Sequence, residues 1–307
     1  MVSVIITTHN RCNLLDRAIQ SVLNQIYKDF ELIVVADGCT DGTDSLMKKY
    51  ESEKRIQYIH YSPAKGGNYA RNKGAQNSRG EFIAFLDDDD EWLPEKLELQ
   101  VAKIREDPEC VLVYTGIRVV YVNECIEYSS IPKANGDLSK VLLFNNIIGS
   151  TSTPLIKKSV LDNSGLFDEQ LGALQDYDLW LRISEFGKVL VIPKEMVNYY
   201  NYTTGKQVSA ITDRYVDAIA YINKKYSRRI NNLSPEEKVI KESCDYYLLA
   251  NKAMRNNNKK LSRSYFIKAL RVRFRLKYLI YYVFTFTSYR TCLLYTSPSP
   301  RDKRQSR

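Results

Sequence analysis

Four consecutive aspartates, Asp87 to Asp90, follow an apolar run from Phe82 to Leu86. The run predicts a short buried strand. Carboxylates crowded at the end of a strand repel one another and resist ionising together. A hard divalent cation such as Mg²⁺ or Mn²⁺ relieves that repulsion, because it takes carboxylate oxygens and bridges to substrate phosphates. The cluster therefore points to a site for a metal and a diphosphate at the edge of a sheet. The plainer reading is a solvated acidic turn ahead of a helix with Pro94 in its first turn.

The elements around the cluster favour the site. Val2 to Thr7 reads as a strand, followed by a helix capped at Asn13 with Leu14, Leu15, Ala18, Ile19, Val22 and Leu23 on one face. Phe30 to Ala36 is a second strand, and a helix follows from about Thr43. Arg55 to His60 is a third strand, then come a Gly-rich turn and a helix from about Asn68 to Ser78. Strands alternating with helices predict a parallel sheet covered on both faces. Ligands of such sheets bind beyond the carboxyl ends of the strands. That edge would collect His9 to Arg11, Asp37 and Gly38, the turn at Lys65 to Gly67, and the four aspartates.

Beyond Pro94 the pattern becomes mixed. Val111 to Thr115, Arg118 to Val122 and Val189 to Ile192 are strand-like, Asp137 caps a short helix through Phe144, and Gln175 to Glu185 reads as a helix with an acidic start. The expected organisation is a unit over residues 1–211, a basic helical extension over 212–291, and a tail over 292–307 that is non-native or disordered. The run from Leu293 to Asp302 resembles translated adapter sequence more than protein, so the natural chain is expected to continue differently beyond about residue 291.

Charge divides the chain. Residues 1–211 carry 23 Lys and Arg against 29 Asp and Glu, whereas residues 212–307 carry 22 against 7. A basic region of this kind calls for an anionic partner. From Tyr265 to Phe286, basic residues interleave with Phe266, Leu270, Phe274, Leu276, Ile280 and Phe284, a composition suited to a membrane interface. No run of about 20 apolar residues predicts a membrane-spanning helix, and the polar residues from Thr7 to Arg11 argue against a signal peptide. Six scattered cysteines suggest reduced thiols of a cytoplasmic protein, and two histidines exclude a His-rich zinc site.

Five segments in order, Val2–Arg11, Val35–Thr43, Gly67–Asn72, Gly80–Asp90 and Gln175–Arg182, resemble the inverting family 2 glycosyltransferases. The resemblance covers about residues 1–205. It implies an α/β fold of the GT-A type, a Rossmann-like mixed sheet with helices on both faces, here followed by the C-terminal helices. It implies that Thr7, His9, Arg11, Asp37 and Arg71 bind the nucleotide. It implies that Asp89 ligates a divalent metal, Mn²⁺ or Mg²⁺, with Asp87 or Asp88 meeting the ribose or metal-bound water. Asp176 matches the catalytic base, which takes the proton of the attacking hydroxyl. Gln175 stands where the family commonly has Glu, and Ala36 precedes Asp37 where it usually has a second acid.

The implied activity moves a single sugar from a nucleotide diphosphate donor, a UDP-sugar by preference, to a lipid-linked or growing surface glycan. The implied location is cytoplasmic, peripheral at the inner face of the cell membrane, with no nucleic-acid partner. The competing readings are a nucleic-acid or anionic-polymer binder using the basic region, and a sugar-phosphate nucleotidyltransferase. The nucleotidyltransferase would need a Gly-rich, Arg- and Lys-bearing segment after the first strand, where this chain has Thr7 to Cys12.

Overall fold

The computed structural model describes residues 1–202, 211–287 and 289–296. The N-terminal third alternates as expected. It runs β1 (Val2–Thr8), α1 (Cys12–Leu23), β2 (Phe30–Asp37), α2 (Thr43–Lys48), β3 (Ile56–Tyr61), α3 (Gly67–Gln76) and β4 (Phe82–Asp87). Then follow β5 (Glu91–Trp92), α4 (Lys96–Glu106), β6 (Cys110–Tyr121), β7 (Ile126–Ser130), α5 (Ser139–Leu142), β8 (Leu155–Lys157), α6 (Lys158–Ser164), α7 (Gln175–Ile183) and β9 (Lys188–Asn201). The C-terminal helices are α8 (Thr212–Lys225), α9 (Ser227–Asn231), α10 (Pro235–Arg255), α11 (Lys259–Val272), α12 (Leu276–Phe284) and α13 (Tyr289–Thr296).

Nine strands form one mixed sheet in the order β3-β2-β1-β4-β8-β6-β9-β5, with β7 paired to β6. Strands β1 to β4 are mutually parallel, β8 runs antiparallel between β4 and β6, and β6 and β9 are parallel. Side chains of a strand alternate between faces, so each register row feeds one layer. Val4, Leu32 and Ala84 lie in one row and enter one core; Ile5, Ile33 and Phe85 lie in the next and enter the other. Helices α1 and α4 cover the first core with Leu15, Ala18, Ile19, Leu97, Val101 and Ile104. Helices α3 and α7 cover the second with Ala70, Ala75, Tyr177, Leu179, Trp180 and Ile183. In α3, Gly74 allows the close approach: a Cβ there would stand 2.5 Å from Ile5 Cγ2.

Several expected boundaries move. Arg11, not Asn13, occupies the N-cap of α1, and Asn13 lies inside the helix. The helix after Pro94 begins at Lys96. The two runs at 111–115 and 118–122 are one strand, β6, whose pairing with β9 slips around Gly116. The strand expected over 189–192 continues to Asn201 through Pro193. Asp137 backs its turn by accepting from Ser139 N–H at 2.9 Å.

Helix α10 starts with a reciprocal cap: Ser234 and Glu237 exchange hydrogen bonds, and Pro235 stands at the first turn. Tyr215, Ala218 and Ile219 of α8 and Leu249 of α10 pack with Leu171 and Ala173. Of the expected tail, residues up to Thr296 lie in α13, where buried Leu293 packs with Val119 and Tyr121; residues 297–307 lie outside the described residues. Among the described residues no helix is long and apolar enough to cross a membrane.

Candidate active site

The chain order across the sheet creates the site. From β1 it runs outward to β2 and β3, then returns to the other side of β1 as β4. A crevice opens beyond the carboxyl ends of the strands at such a reversal. Thr7 and Asp87 are register partners on the two strands that flank it. A cavity of about 910 Å³ lies there, and its lining includes Thr7, His9, Arg11, Asp37, Arg71, Asp87, Asp88, Asp89 and Asp176. All nine residues expected at a site from sequence thus face one space.

Each is held by the element that carries it. The His9 ring donates from Nδ1 to the backbone carbonyl of Asp37. The Asp37 carboxylate accepts the backbone N–H groups of Lys65 at 2.6 Å and Gly66 at 2.8 Å. This bond pair fixes the turn into α3, where Gly66 adopts φ 98°, a conformation suited to glycine. Arg71, on the first turns of α3, reaches Asp87 with Nη2–Oδ1 at 2.7 Å and lies over the Phe167 ring at 5.5 Å.

The aspartates divide the work. Arg11 Nη1 lies 3.0 Å from Asp88 Oδ1 and 3.3 Å from Asp89 Oδ2. Arg17 donates to the Asp89 carbonyl at 2.6 Å. Burial, then the charges of Asp87 and Asp88, push the Asp89 carboxyl up to about 6. Burial also raises Asp88, although Arg11 opposes the shift. Asp90 turns away from the cavity. It is fully buried, takes the Ser152 hydroxyl at 2.6 Å and the Tyr200 N–H at 3.3 Å, and is raised well above the ordinary carboxylate range by burial and by Asp89.

The donor set fits a divalent cation. It offers carboxylate oxygens, and three aspartates, Asp87, Asp88 and Asp89, meet two arginines there, Arg71 and Arg11. Among the described residues no three His, Cys, Asp or Glu side chains form a ready-made metal cage. The arrangement is the sparser kind, in which one or two carboxylates hold the ion together with substrate phosphates.

Asp176 reaches the same cavity from the first turn of α7. Its Oδ1 accepts the Tyr177 N–H at 2.7 Å. Enclosure raises its carboxyl to about 6, against the Tyr177 hydrogen bond and the positive charge of Lys252. A carboxyl in that range is a good general base near neutral pH. Asp178 has a different job: it is fully buried in ion pairs with Arg182 and Lys225 and accepts from the Tyr226 hydroxyl at 2.9 Å. Trp180 is buried and donates to the Gly149 carbonyl at 3.1 Å.

Some contributors carry no sequence signal. Thr151 donates to Asp87 Oδ2 at 2.9 Å, and Trp92 donates to the Ser152 carbonyl at 2.8 Å. The loop 150–153 thus braces the aspartates. Asn68 donates to the carbonyls of Asp168 and Leu171, both at 2.9 Å. Asn72 binds the Phe167 N–H and carbonyl and the Glu169 carboxylate, each at 2.9 Å. Tyr215, Leu248 and Lys252 complete the cavity wall from α8 and α10, and Lys252 Nζ lies 4.5 Å over the Tyr215 ring. Only paired polar residues on α3 hinted at the first contact set; the second depends on helices distant in sequence.

Residues 3–164 match the family model described as glycosyl transferase family 2. A glycosyltransferase of Rickettsia bellii is 35% identical over 201 residues, 64% of this chain and 28% of its own length. The chain spans between 28% and 60% of the length of the Rickettsia relatives. The Escherichia coli relative that bears the name colanic acid biosynthesis glycosyl transferase WcaA is 32% identical over 193 residues, 61% of this chain and 68% of its own. Among solved structures, Staphylococcus aureus TarS 1–349 in complex with UDP-GlcNAc aligns with a TM-score of 0.61 at 20% identity, covering 92% of this chain and 79% of that one. The mannosyltransferase PcManGT of Pyrobaculum calidifontis, in complex with GDP-Man and Mn²⁺, aligns with a TM-score of 0.60 at 17% identity, covering 92% and 83%. At these identities the structures establish the shared GT-A-like fold.

Proposed function

The chain belongs to glycosyl transferase family 2, and on that membership we propose that it transfers a single sugar, with inversion, from a nucleotide diphosphate donor to a glycan hydroxyl. The observation that carries this reading is that Asp87, Asp88 and Asp89, at the end of β4, and Asp176, at the start of α7, line one cavity. A UDP-sugar is the favoured donor, in keeping with the UDP-GlcNAc in the TarS complex. A lipid-linked or growing surface glycan is the favoured acceptor, in keeping with the WcaA name. Peripheral placement at the inner face of the cell membrane completes the reading, since lipid-linked acceptors are reached there.

In this reading Thr7, His9 and Asp37 hold the nucleotide base, Arg11 meets its diphosphate, and Arg71 meets the nucleotide. Asp89 and Asp87 would hold a divalent cation, Mn²⁺ or Mg²⁺, which when bound neutralises charge on the departing diphosphate. Asp176 takes the proton from the acceptor hydroxyl as its oxygen bonds to the anomeric carbon. The bond from that carbon to the diphosphate oxygen breaks, and the diphosphate leaves with the electron pair. Attack opposite the leaving group inverts the centre. Residues 1–211 carry these groups, and the helices of 212–291 close the wall through Tyr215, Leu248 and Lys252.

The test is donor binding and turnover across UDP-, GDP- and dTDP-sugars, with and without Mn²⁺. One donor bound in a metal-dependent way, lost in Asp89→Ala but kept in Asp176→Asn as turnover disappears, is the expected result. A folded wild-type chain that binds no nucleotide sugar would overturn the reading.

A further inference from the structure

Helix α12 has apolar residues on two opposite faces. Its inner face seats buried Tyr278, with Tyr281, on Tyr247 of α10, with ring centroids 4.9 and 5.5 Å apart. Its outer face carries Leu276, Leu279, Ile280 and Val283, the spacing of one helical stripe. These four are 65%, 37%, 43% and 55% exposed. Phe274, in the extended link before the helix, and Phe286, just beyond its end, are 71% and 62% exposed. Scattered apolar residues on a surface need no explanation, but a stripe of four flanked by two exposed phenylalanines marks an interaction face.

A groove of about 490 Å³ lies beside the stripe, lined by Lys260, Arg263, Lys268 and Arg271 of α11 and by Tyr282 and Phe286. The Arg263 guanidinium sits 4.9 Å over the Phe286 ring, so positive charge and apolar surface share one rim. Residues 259–296 contain nine lysines and arginines and no aspartate or glutamate. The segment therefore has no acids of its own to balance the groove.

We propose that the outer face of α12 and the cationic groove beside it dock on an anionic phospholipid bilayer. The stripe enters the boundary between headgroups and acyl chains, and the groove takes lipid phosphates. The proposal deepens the membrane-surface reading given above and rests on it. Charge selects this occupant. A second copy would bring like charges face to face. A nucleic acid would meet the cations but leave Leu276, Ile280 and Val283 in water. An anionic bilayer satisfies both features, since basic residues near its surface are drawn to its negative headgroups.

The experiment is co-sedimentation of the full chain with phosphatidylcholine vesicles, with and without phosphatidylglycerol, at low and high salt. Nucleotide-sugar binding serves as the separate control for the cavity. Binding is expected with phosphatidylglycerol, weaker by at least about tenfold without it, and weakened by salt. Ile280→Asp with Val283→Asp should lower vesicle binding by about tenfold or more and leave donor binding intact. Lys268→Glu with Arg271→Glu should abolish the preference for anionic lipid. Absent vesicle binding, binding indifferent to lipid charge, or variants that bind like wild type would overturn the proposal. So would light scattering that shows a dimer dispersed by Ile280→Asp with Val283→Asp. A chain that binds vesicles but no nucleotide sugar would instead sink the transferase reading alone.

Discussion

Arg11 bridges Asp88 and Asp89: one guanidinium nitrogen stands 3.0 Å from the first carboxylate and 3.3 Å from the second. The N-cap residue of α1 is thereby the resident counter-charge of the cluster at the end of β4. A metal at this cluster would share these carboxylates with Arg11, whereas a diphosphate would compete with them for its guanidinium.

Removing that arginine has a stated direction. Arg11→Ala leaves Asp88 and Asp89 less compensated, so their carboxyls rise further and protons compete better for the site. Donor affinity in the presence of Mn²⁺ is expected to fall by about 10- to 100-fold and to recover partly at higher pH. Calorimetric titration of donor at two pH values checks this. An unchanged affinity would show that Arg11 plays no part.

With Asp176 as the proposed base, the acid side of the rate profile follows from its carboxyl, which burial raises to about 6, since a base must be ionised to act. Transfer is therefore expected to rise as pH increases through about 6 and to level above it. Asp176→Asn is expected to lose about 10²- to 10⁴-fold in rate with donor binding retained. A profile flat through that range would remove Asp176 from the role.

Lys252 tunes that base from α10. Its charge lowers the Asp176 carboxyl, while burial first, then Arg255, hold its own ammonium down at about 8. In Lys252→Gln the acid limb of the rate profile should move to higher pH. A purely structural role would lower the rate without moving the limb, so the midpoint of the profile is the deciding measurement.

Asp90 gives the opposite kind of test, on stability. Its carboxyl is raised in the folded chain, by burial and by Asp89. A raised folded value means that the group stabilises the fold fully below its unfolded value and loses this contribution as pH rises through the folded value. Asp90→Asn removes the titration. The variant should therefore gain stability relative to wild type as pH is raised from mildly acidic to mildly alkaline. Thermal melts of both proteins over that range check the sign.

Asn72 anchors the far wall. Asn72→Ala leaves the Phe167 N–H and carbonyl without their side-chain partner in a buried setting. A loss of about 1–3 kcal/mol in denaturant unfolding is expected. A change within a few tenths would mean that the loop settles elsewhere at no cost.

Much of this was legible in the sequence because it is local. Apolar runs placed β1, β2 and β4, and a strand ending in carboxylates announced the cavity edge. The acidic start of α7 was equally plain, yet Asp176 and Asp178 look alike in sequence. Only packing separates them, one facing the cavity and the other locked between Arg182 and Lys225. β6 read as two strands because its pairing slips at Gly116, where a glycine stands between Lys194 and Ser130 carbonyls. β9 read short because Pro193 interrupts its pattern. Arg11 displaced Asn13 as cap because β1 ends at Thr8, three residues before the helix turns in. The contribution of Lys252 was invisible, since nothing along α10 distinguishes a lysine facing a cavity from one facing solvent.

Asn68 and Asn72 grip the segment from Phe167 to Leu171 almost wholly by its main chain; of their five hydrogen bonds, only the one to Glu169 reads a side chain. A clasp that reads main chain leaves the exposed part of the segment open to change: Gln170 could be rewritten freely, whereas Phe167, Asp168 and Leu171 are also held through their side chains, by burial, by the ion pair with Lys225 and by the packing of α8 and α10. The joint would keep its grip while its outer rim diversified.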